Sequence, residues 1–180
     1  MRHSFKKGFT LIELIVVIAI IGVLASILVP SVMGYVKKAN RSTDLSTAKT
    51  IRQDSSIIIA DGGPLGESFA NTAGMSRTVT VIHAGKTETY TLQMVARKDA
   101  NDNKPWVGYD SAADDFISAL NNMEQNNVAL KFRRLSNGGE LESWFVCKRA
   151  DEAGEIEVWV GDSGNNPLFR VFPETEDRYK

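Results

Sequence analysis

One carboxylate stands alone in the most apolar part of this sequence. Glu13 is the only charged residue between Phe9 and Val36, a run of 28 residues. A carboxylate near the middle of a lipid bilayer costs about 2.5–3.5 kcal/mol on insertion scales, so an ionisable residue in such a run is expected to be functional. We therefore expect a positively charged group to pair with Glu13 when the protein is in its working state.

The residues before this run are basic and end in glycine. The chain begins MRHSFKKG and continues FTLIE, so Gly8 and Phe9 stand just ahead of Glu13. This pattern resembles the class III signal peptide and N-terminal helix of type IV prepilins, and the resemblance covers residues 6–36. It implies that a membrane-embedded prepilin peptidase cuts after Gly8 and that the new N-terminus, Phe9, is N-methylated. It also implies that Glu13 accepts the positively charged N-terminus of Phe9 from a neighbouring subunit.

The resemblance implies a structural subunit and not an enzyme. The expected partners are further copies of the chain in a helical polymer, the prepilin peptidase and a pilus or secretion assembly platform. Adhesion, twitching motility and surface contact are the roles expected of a pilus subunit. The alternative is a pseudopilin of a type II secretion or competence (DNA uptake) pseudopilus. A third possibility, a membrane-anchored enzyme or binding domain with the same leader, lacks a plausible set of nucleophile, base and metal ligands.

The apolar run predicts one membrane-spanning helix. Its 28 residues would extend roughly 42 Å as a helix, more than the roughly 30 Å hydrocarbon core of a bilayer. An ordinary secretory signal also begins with a basic region and an apolar region. Glu13 within the run, and the lack of a small-x-small cleavage pattern after Val29, argue against that interpretation.

Charge does not fix the orientation of this helix, because basic residues occur on both sides of the run. The resemblance implies that the N-terminus faces the cytoplasm and the head lies outside it. The chain is then a single-pass membrane protein before assembly and part of an extracellular or cell-surface filament afterwards.

Composition predicts a single globular head after the membrane segment. From Lys37 onward, 18 Lys and Arg residues oppose 21 Asp and Glu residues, a net charge of −3. No basic stripe indicates nucleic acid, which is expected as a partner only of a competence pseudopilin. Cys147 is the only cysteine, so an intramolecular disulfide is impossible. Many Gram-negative pilins close their C-terminal region with a disulfide, and closure here requires another explanation.

The helix is expected to continue beyond the membrane segment. Apolar or small residues recur at three- and four-residue steps at Leu45, Ala48, Ile51, Ser55, Ile58 and Ile59. Asp61-Gly62-Gly63-Pro64 then provides a glycine cap and a proline that cannot continue the helix. We predict one helix from about Phe9 to Asp61, roughly 80 Å long. The predicted domains are a cleaved leader at 1–8, a membrane and filament-core helix at 9–36, and a head at 37–180.

The rest of the head is predicted to be mainly β-structure. Thr78–His83 and Thr89–Val95 flank a turn and predict a hairpin. Val128–Leu135, Leu141–Lys148 and Ile156–Val160 predict a three-stranded meander, and Leu168–Phe172 an added edge strand. A short helix bearing Phe116, Leu120 and Met123, capped by Asp110 or Ser111, is expected between hairpin and meander. The fold class is α+β, a pilin-like fold in which a long N-terminal helix packs on an antiparallel sheet.

Two residues mark a weak point in the apolar helix. Pro30 removes one helical hydrogen bond, and Gly22 lowers helix propensity by about 1 kcal/mol relative to Ala. The resemblance implies that Gly22 to Pro30 can lose helicity when subunits pack in a filament. A simple kink in a membrane helix is the other interpretation.

Candidate sites in the head have structural explanations. No second His or Cys pair completes a transition-metal site with His83. Asp99, Asp102, Asn103 and Asp110 form an oxygen-rich loop that fits turn chemistry as well as calcium, and no metal site is predicted. Cys147 is expected to be a small buried hydrophobic residue. Trp106, Tyr109, Trp144 and Trp159 lie on different elements and are expected to serve packing. Neither catalytic residues nor cofactors are expected.

Overall fold

The structure, a computed structural model, describes residues 9–100, 104–123, 128–135, 138–151 and 155–179. The chain forms two compact units, one that ends at Ala39 and one from Asn40 to Lys180. Among the described residues, the first unit contains the N-terminal part of helix α1, whereas the second contains a sheet, two further helices and the rest of α1.

Helix α1 spans Leu11–Ala60, within two residues of the prediction at each end. On its C-terminal half, Ala48, Ile51, Ser55 and Ile58 are buried, and Leu45 and Ile59 pack beside them. The predicted apolar face is therefore confirmed. The helix ends where Gly62 and Gly63 adopt positive φ angles of 68° and 62°, a conformation that glycine adopts without steric cost.

Helix α2, Gly63–Asn71, follows at once and was not predicted. Pro64 lies in its first turn, where its fixed φ angle is favourable and its missing N–H has no helical partner to lose. Gly62, Gly63 and Pro64 thus end α1, and Pro64 also favours the start of α2. Phe69 of α2 packs against Phe116 with ring centroids 5.1 Å apart.

The β-sheet begins with the predicted hairpin. Strands β1 (Met75–His83) and β2 (Lys86–Asp99) are antiparallel and longer than expected. Ala84 and Gly85 connect them with φ angles of 48° and 74°, and positive φ at both positions is the geometry of a type I′ turn. This turn matches the twist of the flanking strands, and the hairpin is confirmed.

The remaining strands are β3 (Val107–Gly108), β4 (Ser143–Arg149), β5 (Ile156–Gly161) and β6 (Pro167–Phe172). The strand order is β1-β2-β4-β5-β6, with antiparallel pairing throughout and β3 beside β2. Strands β4 and β5 confirm the last two members of the predicted meander, and β6 confirms the edge strand. The α+β class and its pilin-like architecture are therefore as predicted.

The strand predicted at Val128–Leu135 is wrong. Within it, only Arg134 forms an isolated bridge, to Glu140. The backbone amides of Lys131 and Phe132 instead donate to the Asp44 carboxylate on α1, at 2.7 and 2.8 Å. The alternating pattern arises because one side of this segment packs on the core, and a buried helix carboxylate takes the hydrogen bonds that a neighbouring strand would have received.

The sheet is buried on both faces. One face joins α1, α2 and α3 in the larger core, with Trp144, Val146, Val158 and Val160 at its centre. The opposite face carries a second cluster formed by Val81, Tyr90, Leu92, Met94, Phe145, Cys147 and Trp159. Strands β4 and β5 are consequently buried at nearly every position and do not show a simple alternation of burial.

The short helix between hairpin and meander is α3, Asp114–Met123, and one 3₁₀ turn at Ser111–Ala113 precedes it. Phe116 and Leu120 are buried as expected, whereas Met123 is partly exposed. Asp110 stands at the predicted capping position before the 3₁₀ turn, but its side chain makes no capping hydrogen bond there. Its carboxylate accepts hydrogen bonds from the Thr72 hydroxyl and the Gly74 amide, both at 2.7 Å, so it ties the end of α2 to this turn.

The C-terminal segment, residues 173–179, closes the head without a disulfide. The Asp177 amide donates to the Ile82 carbonyl of β1 at 2.8 Å, and the Glu176 amide donates to the Arg170 carbonyl of β6 at 2.9 Å. One short segment therefore reaches both outer strands of a curled sheet.

Tyr179 links this segment to α1. Its buried hydroxyl donates to the Asp44 carboxylate at 2.8 Å. Asp44 has no exposed surface, and burial raises the pKa of its carboxyl although three hydrogen bonds act in the opposite direction. Burial, and then the nearby Asp44 charge, raise the pKa of Tyr179 as well. Asp44 thus fastens residues 131–132 and the C-terminus to one position of the helix.

This arrangement predicts a measurable cost for Tyr179→Phe. A hydrogen bond to a charged group contributes about 1.5–3 kcal/mol, and we expect a loss of that size in the free energy of unfolding of the head. Denaturant unfolding of the detergent-solubilised chain, followed by tryptophan fluorescence, measures it, because all three Trp residues belong to the head. Tyr109→Phe is the matched control, since its hydroxyl donates to the neutral Asn165 amide oxygen at 3.1 Å. Equal losses in the two variants would contradict the anchoring role of Asp44.

Candidate functional site

The N-terminal segment places Glu13 in the first turn of α1. The Thr10 backbone amide and hydroxyl both donate to the Glu13 carboxylate at 2.8 Å. The Glu13 amide lies 3.4 Å from the Thr10 hydroxyl oxygen, which it can use as acceptor. This reciprocal arrangement is a capping box, with Thr10 as the residue before the helix and Glu13 three positions later.

Sequence reasoning missed the role of Thr10, although the signal was present. Thr10-Leu11-Ile12-Glu13 matches the Ser/Thr-x-x-Glu spacing that marks a helix start before an apolar run. The capping box satisfies part of the hydrogen-bonding capacity of the carboxylate but leaves its negative charge unbalanced, because both Thr10 donors are neutral. Glu13 therefore remains suited to a cationic partner.

The side chains that precede and follow this carboxylate along the helix are apolar, and they are exposed to solvent in the single chain. Every residue from Phe9 to Ala39 is exposed in the single chain, including large side chains such as Phe9, Ile12 and Leu24. By length and composition, α1 contains a stretch apolar enough to cross a membrane. Soluble monomers rarely expose such a large continuous apolar surface. Lipid or other protein must therefore cover it in the working state.

Gly22 and Pro30 both lie within continuous helix in the single chain. A Cβ atom added at Gly22 would meet nothing within 4 Å, so no contact inside the chain requires glycine there. Between them, the Ser26 hydroxyl donates to the Val23 carbonyl at 2.7 Å. The weak point remains a prediction, and its consequences concern packing against other molecules.

The leader lies outside the described residues, as do Asp102 and Asn103 of the oxygen-rich loop. The other two acidic residues of that loop are occupied separately. Asp99 pairs with Arg97 and accepts from the Ser143 hydroxyl, whereas Asp110 accepts from Thr72 and Gly74. Hydrogen bonds, chiefly from the Thr72 hydroxyl, lower the pKa of the Asp110 carboxyl. In the described part of the chain, no three His, Cys, Asp or Glu side chains are grouped to hold a metal ion.

The remaining candidates have structural partners. His83 is half-buried, with Nδ1 3.0 Å from the Thr175 carbonyl oxygen and Nε2 3.3 Å from Glu174. Cys147 is fully buried in β4, and burial raises the pKa of its thiol far above the ordinary value. A buried thiol of this kind is unreactive at neutral pH.

The aromatic residues also lie inside the head, as expected. Trp106, Trp144 and Trp159 are essentially buried, and Tyr109 is partly buried. None of the three Trp rings is available as an exposed stacking platform. The chemically distinctive site is therefore the segment that contains Thr10 and Glu13.

Comparison with known proteins points to the same segment. Residues 4–29 match the family model described as the prokaryotic N-terminal methylation motif. The chain is 30% identical over 151 residues to a type IV major fimbrial protein, FimA, of Dichelobacter nodosus, a match covering 83% of this chain and 92% of the relative. No solved structure was found to match.

Two further relatives are a second fimbrial protein and a secretion protein. A fimbrial protein of Dichelobacter nodosus is 32% identical over 121 residues, which cover 65% of this chain and 76% of the relative. Type II secretion system core protein G of Klebsiella michiganensis is 50% identical, but over 46 residues that cover 26% of this chain and 32% of the relative. The similarity to the fimbrial proteins therefore extends through the head, whereas the similarity to the secretion protein spans a minor part of each chain.

The separate occupation of Asp99 and Asp110 predicts that the head needs no metal. We expect the same thermal midpoint with and without a chelator such as EDTA, measured on the detergent-solubilised chain by tryptophan fluorescence. A metal that binds only the folded state would stabilise it by mass action, by about 2.7 kcal/mol at a hundredfold excess over the dissociation constant. A clear fall in midpoint on chelation, reversed by added calcium, would contradict the assignment.

Proposed function

Since this chain belongs to the type IV pilin family, whose members are structural filament subunits and not enzymes, we propose that it is assembled into a pilus-like filament through its N-terminal helix. The observation that carries this proposal is the lone Glu13 carboxylate within an uncovered apolar helix. Such a helix needs lipid before assembly and other helices afterwards.

The first step is processing of the precursor. The prepilin peptidase cuts the peptide bond between Gly8 and Phe9, and the released amino group of Phe9 is methylated. The basic leader MRHSFKKG stays on the cytoplasmic side, and the head lies outside the cytoplasm. The methylation motif at residues 4–29 supports this order of events.

The second step is extraction from the membrane into the filament. The Phe9 ammonium of one subunit approaches the Glu13 carboxylate of its neighbour, and the charge left unbalanced by Thr10 is neutralised. Charge-assisted hydrogen bonds are roughly twice as strong as neutral ones, so the ammonium can displace the Thr10 hydroxyl. An assembly platform supplies the driving motion.

The filament itself requires an interface that does not close. Identical subunits joined head to tail extend indefinitely when the rotation between them does not complete a ring. The exposed apolar residues of α1 then cover one another in the core. Gly22 and Pro30 mark the stretch where the helix can unwind to fit this packing.

A pseudopilin of a secretion or competence system is the alternative. The similarity to type II secretion protein G keeps it open, but that match covers 32% of the relative, against 92% for the major fimbrial protein. Coverage therefore favours a pilus subunit, with adhesion, twitching motility or surface contact as its role. Electron microscopy of sheared filaments distinguishes a pilus subunit from a pseudopilin. At native expression, long fibres containing this chain are expected of a major pilin.

Processing gives the first functional prediction. Mass spectrometry of the membrane protein is expected to find a chain that begins at Phe9 and carries one methyl group. In Gly8→Leu the leader is expected to remain attached, because the peptidase no longer recognises the bond. A mature chain that begins beyond residue 30 would instead indicate an ordinary secretory signal and the loss of the helix.

Glu13→Val separates insertion from assembly. Without the carboxylate the helix inserts at least as well as wild type, since the cost of a charge in lipid is removed. The Phe9 ammonium then has no partner in an apolar bundle, and leaving a buried charge unpaired costs about 3–5 kcal/mol. We expect normal membrane levels and normal cleavage but a severe loss of sheared filament, each measured separately by immunoblot.

Ser26→Val is the matched control for Glu13→Val. It also replaces a polar residue of the apolar segment, but its hydroxyl bonds only to the carbonyl of Val23 in its own helix. Filament yield close to wild type is expected. Normal yield in Glu13→Val would refute the pairing, and disappearance of the protein itself would show that Glu13 acts in stability.

A further inference from the structure

A network of ion pairs crosses the face of the sheet that carries Cys147. It runs from Glu88 on β2 through Arg149, Glu157 and Arg170 on β4, β5 and β6, and reaches Glu174 in the C-terminal segment. Nε2 of His83 on β1 lies 3.3 Å from a Glu174 carboxylate oxygen and forms the other end of the network. These charges therefore link the two outer strands of the curled sheet to the strands between them.

At the centre of the network, Glu157 is fully buried and accepts hydrogen bonds from four side chains at unequal distances. The Tyr90 hydroxyl lies 2.8 Å and the Trp159 indole nitrogen 2.7 Å from Oε2, and Arg149 Nε lies 3.1 Å from Oε1. The charge of Glu157 is thus balanced chiefly by Arg149. Burial is the largest influence that raises the pKa of Tyr90, followed by the Glu157 charge.

The Arg170 guanidinium makes mostly long hydrogen bonds and ion pairs. Its side chain is 4% exposed, yet Nη1 lies 3.4 Å from both Glu157 and the Tyr90 hydroxyl, and Nη2 lies 3.9 Å from Glu174. Only Nε, at 3.1 Å from the Glu174 carbonyl oxygen, is at an ordinary distance. Charge-assisted bonds of a guanidinium to a carboxylate are normally about 2.7–2.9 Å long. A buried guanidinium with such long contacts has capacity for a further acceptor.

A cavity opens beside this guanidinium. Its volume is about 270 Å³, and it is lined by Val81, His83, Ala84, Lys86, Glu88, Arg170 and Glu174. Lys86 lies opposite His83 in the hairpin register, and its ammonium forms no ion pair within the described part of the chain. The buried Arg170 guanidinium, with its long contacts, and the exposed Lys86 ammonium thus line one space.

We propose that this cavity binds a hydroxylated carboxylate of single-ring size, such as a hexuronic acid unit. The carboxylate lies between the Arg170 guanidinium and the Lys86 ammonium. Glu88 and Glu174, each already held by a cationic or histidine side chain, keep exposed oxygen lone pairs at the rim that accept from ligand hydroxyls. The volume lies just below the roughly 300–1,000 Å³ of sites for drug-sized ligands, which limits the ligand to about one ring.

The inference rests on the proposed function in one respect, that the head meets such a ligand outside the cytoplasm. Binding itself does not need a filament. The test therefore uses the unassembled full-length chain, solubilised in nonionic detergent, with sodium D-glucuronate as probe and methyl glucoside as the neutral comparison. Isothermal titration or ligand-observed NMR measures the dissociation constant, so a failure of filament assembly does not affect the result.

We expect glucuronate to bind saturably in the millimolar range and methyl glucoside to bind at least tenfold more weakly. Lys86→Gln is expected to weaken glucuronate binding about tenfold, the size expected from losing one charge-assisted hydrogen bond. Lys49→Gln, which removes an exposed ammonium from α1 far along the chain from the hairpin, is the matched control and is expected to bind like wild type.

Two results would overturn the proposal. The first is no saturable binding at concentrations up to about 100 mM, well above the expected constant. The second is equal affinity for methyl glucoside, or an unchanged affinity in Lys86→Gln.

Discussion

The cost of an unbalanced charge in an apolar environment is the constraint from which the function of this protein follows. An aliphatic helix without charge would be a sufficient membrane anchor. Glu13 makes that anchor less favourable in lipid, and the assembly proposed above would supply the cation that balances it. In the single chain, Thr10 provides neutral donors that satisfy part of the carboxylate without balancing its charge. The unassembled subunit is therefore electrostatically incomplete, and the proposed assembly completes it.

A second buried carboxylate organises the head by different means. Asp44 binds two backbone amides and a phenol, all from residues more than eighty positions away in sequence. Its charge is buried at a cost, as the raised pKa of its carboxyl reflects, and its neutral donors offset part of that cost. Asp44 gives the C-terminus a fixed attachment in a chain whose single cysteine rules out an internal disulfide.

On the opposite face of the sheet, the cost of burying a carboxylate is offset by paired charges. Glu157 is held by Tyr90, Trp159 and Arg149, and these contacts fix strands β2, β4 and β5 relative to one another. Because the donors are unequally spaced around one carboxylate, Arg170 is left with longer contacts. Incomplete satisfaction of a buried guanidinium is unfavourable for stability and favourable for binding. The cavity beside Arg170 is for this reason where we propose that a ligand binds.

The sequence alone determined the parts of this protein that depend on local patterns. An apolar run and a three-to-four residue repeat from Leu45 to Ile59 were enough to predict the helix. Thr78–His83 and Thr89–Val95 on either side of a turn were enough to predict the hairpin and, with the later strands, the α+β class. Their physics is local, since helix periodicity, turn chemistry and solvent preference act over a few residues. The Thr10 capping box was equally local and could have been found from Thr10-Leu11-Ile12-Glu13 alone.

Tertiary structure decided everything that rests on distant partners. Val128–Leu135 alternates like a strand, yet its amides bind Asp44, because a buried carboxylate competes successfully with a neighbouring strand for backbone donors. Asp44 itself looks like an ordinary exposed helix residue in the sequence. The Glu157 network joins five strands and the C-terminal segment, and no spacing rule relates residues brought together by sheet order. Hydrogen bonds between distant residues form only once the chain has folded, so their partners cannot be predicted from local sequence patterns.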